Sequence, residues 1–98
     1  MRFRLQFTRE AAANLQALEN DKGLAKKLKA VRKALGLLET NTRHPSLNTH
    51  KFSSLHGPAR EDVFEAYAES KTPAAYRIFW IYGPGKGTIT VIAITSHP

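Results

Sequence analysis

Polar and apolar residues along this chain repeat with two periods, and each period marks a different kind of element. Phe3, Leu5 and Phe7 alternate with Arg2, Arg4, Gln6 and Thr8, the two-residue period of a half-buried strand. Thr8 is placed to cap a helix starting at Arg9, with Glu10 in its first turn, where the helix dipole favours an acid. Ala11, Leu15 and Leu18 form its apolar face, and Asn20-Asp21 ends it, with Asp21 placed to cap a second helix. In that second helix Leu24, Leu28, Val31, Leu35 and Leu38 fall at i, i+4, i+7, i+11 and i+14, a continuous apolar stripe. Lys22, Lys26, Lys29 and Lys33 repeat the same spacing on the opposite side.

Asn41-Thr-Arg-His-Pro45 ends the second helix, and residues 41–60, with Pro45, Gly57, Pro58 and many Ser, Thr and Asn, read as a long loop. Asp62 to Glu69 is predicted as a strand and Ser70 to Ala74 as a hairpin connection. Two buried strands follow, Tyr76 to Gly83 and the run from Thr88, joined by the turn Gly83-Pro-Gly-Lys-Gly87, with His97 just past the end. The order is β-α-α-β-β-β. It implies an α+β two-layer fold, a helical hairpin packed on one face of a mainly antiparallel four-stranded sheet.

Strand parity then sorts the side chains. With Tyr67 opposite Arg77 and Arg77 opposite Ala93, one face carries Val63, Glu65, Tyr67, Arg77, Phe79, Ile81, Val91 and Thr95, with His97 beyond the strand end. The other carries Phe64, Ala66, Ala68, Tyr76, Ile78, Trp80, Tyr82, Ile92 and Ile94, and is the more uniformly apolar. The helices are expected on that second face. The first then presents an acid, a phenol, a guanidinium and an imidazole to solvent, provided the register holds.

Length and composition narrow the function. Ninety-eight residues are expected to form one domain, 1–98. Fifteen Lys and Arg against eight Asp and Glu give a formal charge of +7, which points to a polyanionic partner: RNA, DNA or an acidic protein. The absence of cysteine excludes a disulfide framework and thiol chemistry and suits a reducing, cytoplasmic setting. The alternating N-terminal segment is not a signal peptide, and no apolar run is long enough for a membrane helix.

Arg77 stands alone among apolar neighbours in its strand, and a cation there needs a partner or a ligand. It is either a phosphate clamp or one half of an ion pair with Glu65. His97 suits a general acid or base, or is a surface histidine at a frayed end. Glu65 suits a base beside a cation, or a solvated strand residue. Tyr67 suits base stacking, or packing. His50 and Lys51 are placed to contact phosphate from a polar loop. Lys26, Lys29 and Lys33 are a solvated face or a track for RNA phosphates. His44, His50 and His56 recur every six residues without Cys or acidic support, so neither a metal nor any other cofactor is expected.

Three stretches resemble the RelE/ParE toxin superfamily, the plasmid-stabilisation type of toxin–antitoxin toxin. His50-Lys-Phe-Ser-Ser-Leu-His-Gly57 is similar to its "K-x-L-x-G" loop, Tyr76-Arg-Ile-Phe-Trp to its "Y-R-[IV]-x-[YW]" strand, and Ile92-Ala-Ile-Thr-Ser-His97 to its last strand. With the element order, the resemblance spans nearly the whole chain. It implies a type II toxin neutralised by an acidic antitoxin, and in the RelE-like branch a ribosome-dependent endoribonuclease that cuts mRNA in the A site. Carried over by position, Arg77 matches the arginine that stabilises phosphate, His97 a terminal histidine acid and Lys51 a basic loop residue. Glu65 as base comes from parity alone. His56 stands where the family often has Lys, and Pro98 where the YoeB-like branch often has an aromatic. The alternatives are a ParE-like inhibitor of DNA gyrase, which has no nuclease centre, and a non-toxic relative of the fold.

Overall fold

The computed structural model describes residues 2–70 and 72–96. Its strands are β1 (Arg4–Phe7), β2 (His50–His56), β3 (Asp62–Tyr67), β4 (Tyr76–Tyr82) and β5 (Thr88–Ser96). Its helices are α1 (Arg9–Asn20) and α2 (Ala25–Thr40). The sheet order is β1-β5-β4-β3-β2, with β1 parallel to β5 and every other pair antiparallel. The architecture is the expected α+β one, with five strands instead of four.

The added strand is β2, from the stretch read as loop. It carries only Phe52 and Leu55 as large apolar residues and most of it is exposed, so no side-chain period announces it. Backbone pairing with β3 makes it a strand: His50 lies opposite Glu65 and Lys51 opposite Phe64, and the register then breaks before His56 meets Asp62. As an edge strand it needs no buried face. A tight turn returns it to β3, with Gly57 N–H bonded to the Glu61 carbonyl at 3.0 Å.

Both helices lie where their stripes direct them. Ala11 and Leu18 of α1 and Val31, Ala34, Leu35 and Leu38 of α2 are buried, and Leu15, Leu24 and Leu28 pack against the same core. An Arg32–Glu19 pair at 3.1 Å joins the two helices. Asp21 caps a short 3-10 turn, Lys22–Leu24, that leads into α2. On the covered face of the sheet the core consists of Ala66, Ile78, Trp80, Ile89, Val91 and Ile94.

Thr8 has two roles. Its hydroxyl oxygen accepts the Ala11 N–H at 3.1 Å, the expected cap, and its O–H donates to the Ile92 carbonyl at 3.0 Å. Thr8→Ala loses both bonds, and we expect about 1–2 kcal/mol of lost stability in chemical denaturation. Thr8→Ser, which keeps both, should stay near the wild type. Equal loss in both variants would show that the methyl group, not the cap, matters.

The register between β3 and β4 is the expected one, Tyr67 opposite Arg77. Between β4 and β5 it differs. Arg77 lies opposite Thr95, not Ala93, and the pairing then jumps from Phe79–Ala93 to Trp80–Val91. One extra residue, Ile92, sits in β5 at this bulge, and parity inverts across it. Val91, expected on the open face, is buried in the main core, while Ile92, expected in that core, packs with Phe79 on the other side. The backbone loosened by the bulge is held by α1: Thr8 takes the Ile92 carbonyl, and Asn14 Oδ1 accepts the Ile94 N–H at 2.9 Å.

Candidate functional site

The face away from the helices is not the plain polar surface that parity suggests. Val63, Phe79 and Ile81 are buried there, with Phe52, Ile92 and Ala93 packed against them. Beside this small second core lies a polar cluster. Glu65 is 2% exposed although it is a carboxylate, and such a group needs partners for both oxygens. Arg77 supplies one, its NH1 donating to Oε2 at 2.5 Å, and His50 the other, with Nε2 2.6 Å from Oε1. The Arg77 guanidinium also lies over Phe79, 5.0 Å from the ring centroid, a contact that suits a delocalised cation. The Arg77 side chain is 14% exposed, and its Nε is buried with no hydrogen-bond partner among the described residues. Tyr67 borders the cluster, its ring 5.8 Å from that of His50.

Each member is placed by a different piece of local structure. Glu65 and Arg77 share a face because Tyr67–Arg77 and Glu65–Phe79 are cross-strand pairs. His50 is aligned as the first residue of β2, directly opposite Glu65. The segment before it is tied down. Tyr82 of β4 donates to Thr42 Oγ1 at 3.0 Å, Thr49 Oγ1 donates to the Thr42 carbonyl at 2.6 Å, and Asn48 adopts a left-handed backbone with φ of 48°. Asn tolerates that conformation better than most residues. The other ring nitrogen of His50, Nδ1, lies 3.1 Å from the Asn48 carbonyl.

The other expected site residues lie elsewhere. Lys51 follows His50 but points to the opposite side of the pleat, where it pairs with Asp62 at 3.3 Å. Lys26, Lys29 and Lys33 are exposed on the outside of α2, in the layer on the far side of the sheet from Arg77. One short segment of RNA cannot lie on them and on Arg77 together without rounding the edge of the molecule. His97 falls outside the described residues. The contact between His50 and Glu65 is not legible in the sequence, because residues 50–56 carry no apolar alternation to mark a strand. The punctuation around them, Asn48-Thr49 before and Gly57-Pro58 after, is the one signal of a strand there.

Among the described residues no helix is long and apolar enough to cross a membrane. The sequence matches no protein-family model and no curated protein. Solved structures do match along almost the whole chain. The YoeB/ParE toxin from Agrobacterium tumefaciens superposes with a TM-score of 0.70 at 9% identity, over 98% of this chain and 100% of that one. The archaeal RelE–RelB complex from Pyrococcus horikoshii gives 0.65 at 15%, over 98% and 96%. The YoeB dimer from Staphylococcus aureus gives 0.63 at 13%, over the whole of both chains.

Proposed function

We propose, from a chain with the fold of RelE/ParE-type toxins, that this protein is the toxin of a toxin–antitoxin pair and a ribosome-dependent endoribonuclease acting on mRNA in the cytoplasm. The observation that carries the reading is the cluster of Arg77, Glu65 and His50 on the open face, a guanidinium and an imidazole held by one buried carboxylate. Cleavage proceeds by attack of a ribose 2′-hydroxyl on the adjacent phosphate. Negative charge grows on the phosphate oxygens, and Arg77 stabilises it through its planar fork. Glu65 keeps that fork in place, Tyr67 offers a ring on which a neighbouring base stacks, and His97 or His50 serves the proton transfers. Lys51, on the other side of the β2 pleat and paired with Asp62, serves a phosphate contact away from the cut. Lys26, Lys29 and Lys33 serve a separate contact, with phosphates away from the cut. The partner that silences the toxin is an acidic antitoxin, in keeping with a charge of +7.

The test is a translating extract. Wild-type protein should arrest synthesis and leave cut mRNA, and the antitoxin should restore translation. Arg77→Lys keeps a cation against Glu65 but loses the fork. It should remain folded by circular dichroism and cut about 10²–10³-fold more slowly. Intact mRNA during arrest overturns the reading.

One observation favours a second reading. Arg77 already has a carboxylate partner in the folded chain, so its charge is accounted for without RNA. A ParE-like inhibitor of DNA gyrase needs no nuclease centre. It predicts blocked supercoiling at unchanged mRNA, and tolerance of Arg77→Lys.

A further inference from the structure

Glu65 has the chemistry of a base but not the position of one. Its side chain is 3% exposed and both its oxygens are taken, so a substrate cannot reach it without breaking the cluster. His50 has the opposite character. Its side chain is 47% exposed, and it is fixed at both ends. Nε2 faces Glu65 Oε1 at 2.6 Å and Nδ1 faces the Asn48 carbonyl at 3.1 Å. Both partners are oxygen acceptors, and a ring with a proton on each nitrogen satisfies both. A carboxylate holding one imidazole nitrogen while the other faces the reacting group is the arrangement by which an acid–base histidine is oriented.

We propose that His50 is the general acid of the RNA cleavage and Glu65 its positioning residue. The proposal rests on the nuclease reading above. Nδ1 is the reacting atom, because Nε2 is committed to Glu65. The leaving oxygen takes the place of the carbonyl of Asn48, an exposed residue two positions before β2. In the step, the 2′-oxygen bonds to phosphorus and its proton goes to water. The P–O5′ bond breaks, its electron pair stays on O5′, and the Nδ1 proton moves to that oxygen. The RNA leaves as a 2′,3′-cyclic phosphate and a 5′-hydroxyl. His50 keeps its Nε2 proton, donated to Glu65, and regains the Nδ1 proton from water.

A leaving group that needs no proton separates this role from a structural one. Ribosome complexes are loaded with ordinary mRNA or with mRNA carrying sulfur in place of the bridging 5′-oxygen at the cut. His50→Ala and His50→Gln, both at a half-exposed position, should cut the ordinary mRNA about 10²–10⁴-fold more slowly than the wild type. Both should cut the sulfur-bridged mRNA at the wild-type rate. Equal slowing on both substrates overturns the assignment, as does wild-type speed of His50→Ala on ordinary mRNA. Selective sulfur rescue of His97→Gln, with none for His50→Ala, also overturns it and moves the acid to His97. Wild-type protein that leaves both mRNAs whole overturns the nuclease reading, and the acid with it.

Discussion

Glu65→Ala should be among the most damaging single substitutions in this protein. It leaves the Arg77 guanidinium nearly buried with no counter-charge. Removing one partner of a buried ion pair costs about 3–5 kcal/mol. For a domain of this size each kcal/mol moves the melting temperature by about 4–8 °C, so the variant should melt at least ~12 °C below the wild type or fail to fold. The double variant Glu65→Leu/Arg77→Met removes both charges and fills the space with apolar atoms. It should recover most of that loss, since replacing a buried pair by well-packed apolar residues is often neutral or stabilising. The same double variant should show no mRNA cleavage, because guanidinium and carboxylate are both gone. A melting temperature of Glu65→Ala near that of the wild type would mean that water reaches Arg77 and that the pair is not buried in solution. A double variant that still cuts mRNA would remove the cluster from the proposed mechanism.

Trp80→Ala should cost nearly as much, for an unrelated reason. Trp80 is fully buried on the covered face, its ring 5.8 Å from Phe64 and 6.4 Å from Tyr82. Truncation opens a cavity between the sheet and the helices, and such changes cost about 3–5 kcal/mol. Trp80→Phe distinguishes volume from polarity. The indole N–H is buried with no acceptor among the described residues, and an unmet donor costs about 1–3 kcal/mol. Phenylalanine removes that donor while giving up part of the ring volume. Its loss in urea denaturation should therefore be less than half that of Trp80→Ala. Similar losses for the two variants would show that the indole N–H is satisfied in solution.

These two residues also mark how far the sequence could be read. Alternation alone places Trp80 on the helix-covered face, with Phe64, Ala66, Ile78 and Ile94. In β3 and β4 the two-residue parity runs unbroken, and one face is more uniformly apolar than the other. The α2 stripe was legible for the same reason. Arg77 could be singled out because a lone cation in an apolar strand must be met by something. Glu65 is what meets it, the less functional of the two partners foreseen, and that role does not prevent Arg77 from meeting a phosphate as well.

The rest depended on contacts between distant segments. β2 has almost no apolar alternation, because an edge strand of this kind is held by backbone hydrogen bonds that any sequence can make. The bulge at Ile92 leaves no mark in the chain either. A continuous apolar run reads the same with or without an extra residue, yet that residue inverts the faces of Val91 and Ile92. His50 could be read as a polar loop residue, but its meeting with Glu65 requires β2 to exist first. Thus the sequence by itself determined the order of most elements, the two-layer packing, the basic surface and the isolation of Arg77, since these follow from local periodicity and charge. Tertiary structure alone decided the fifth strand, the inverted end of β5 and the His50–Glu65–Arg77 cluster, since these follow from backbone pairing and from the need of one buried carboxylate for two partners.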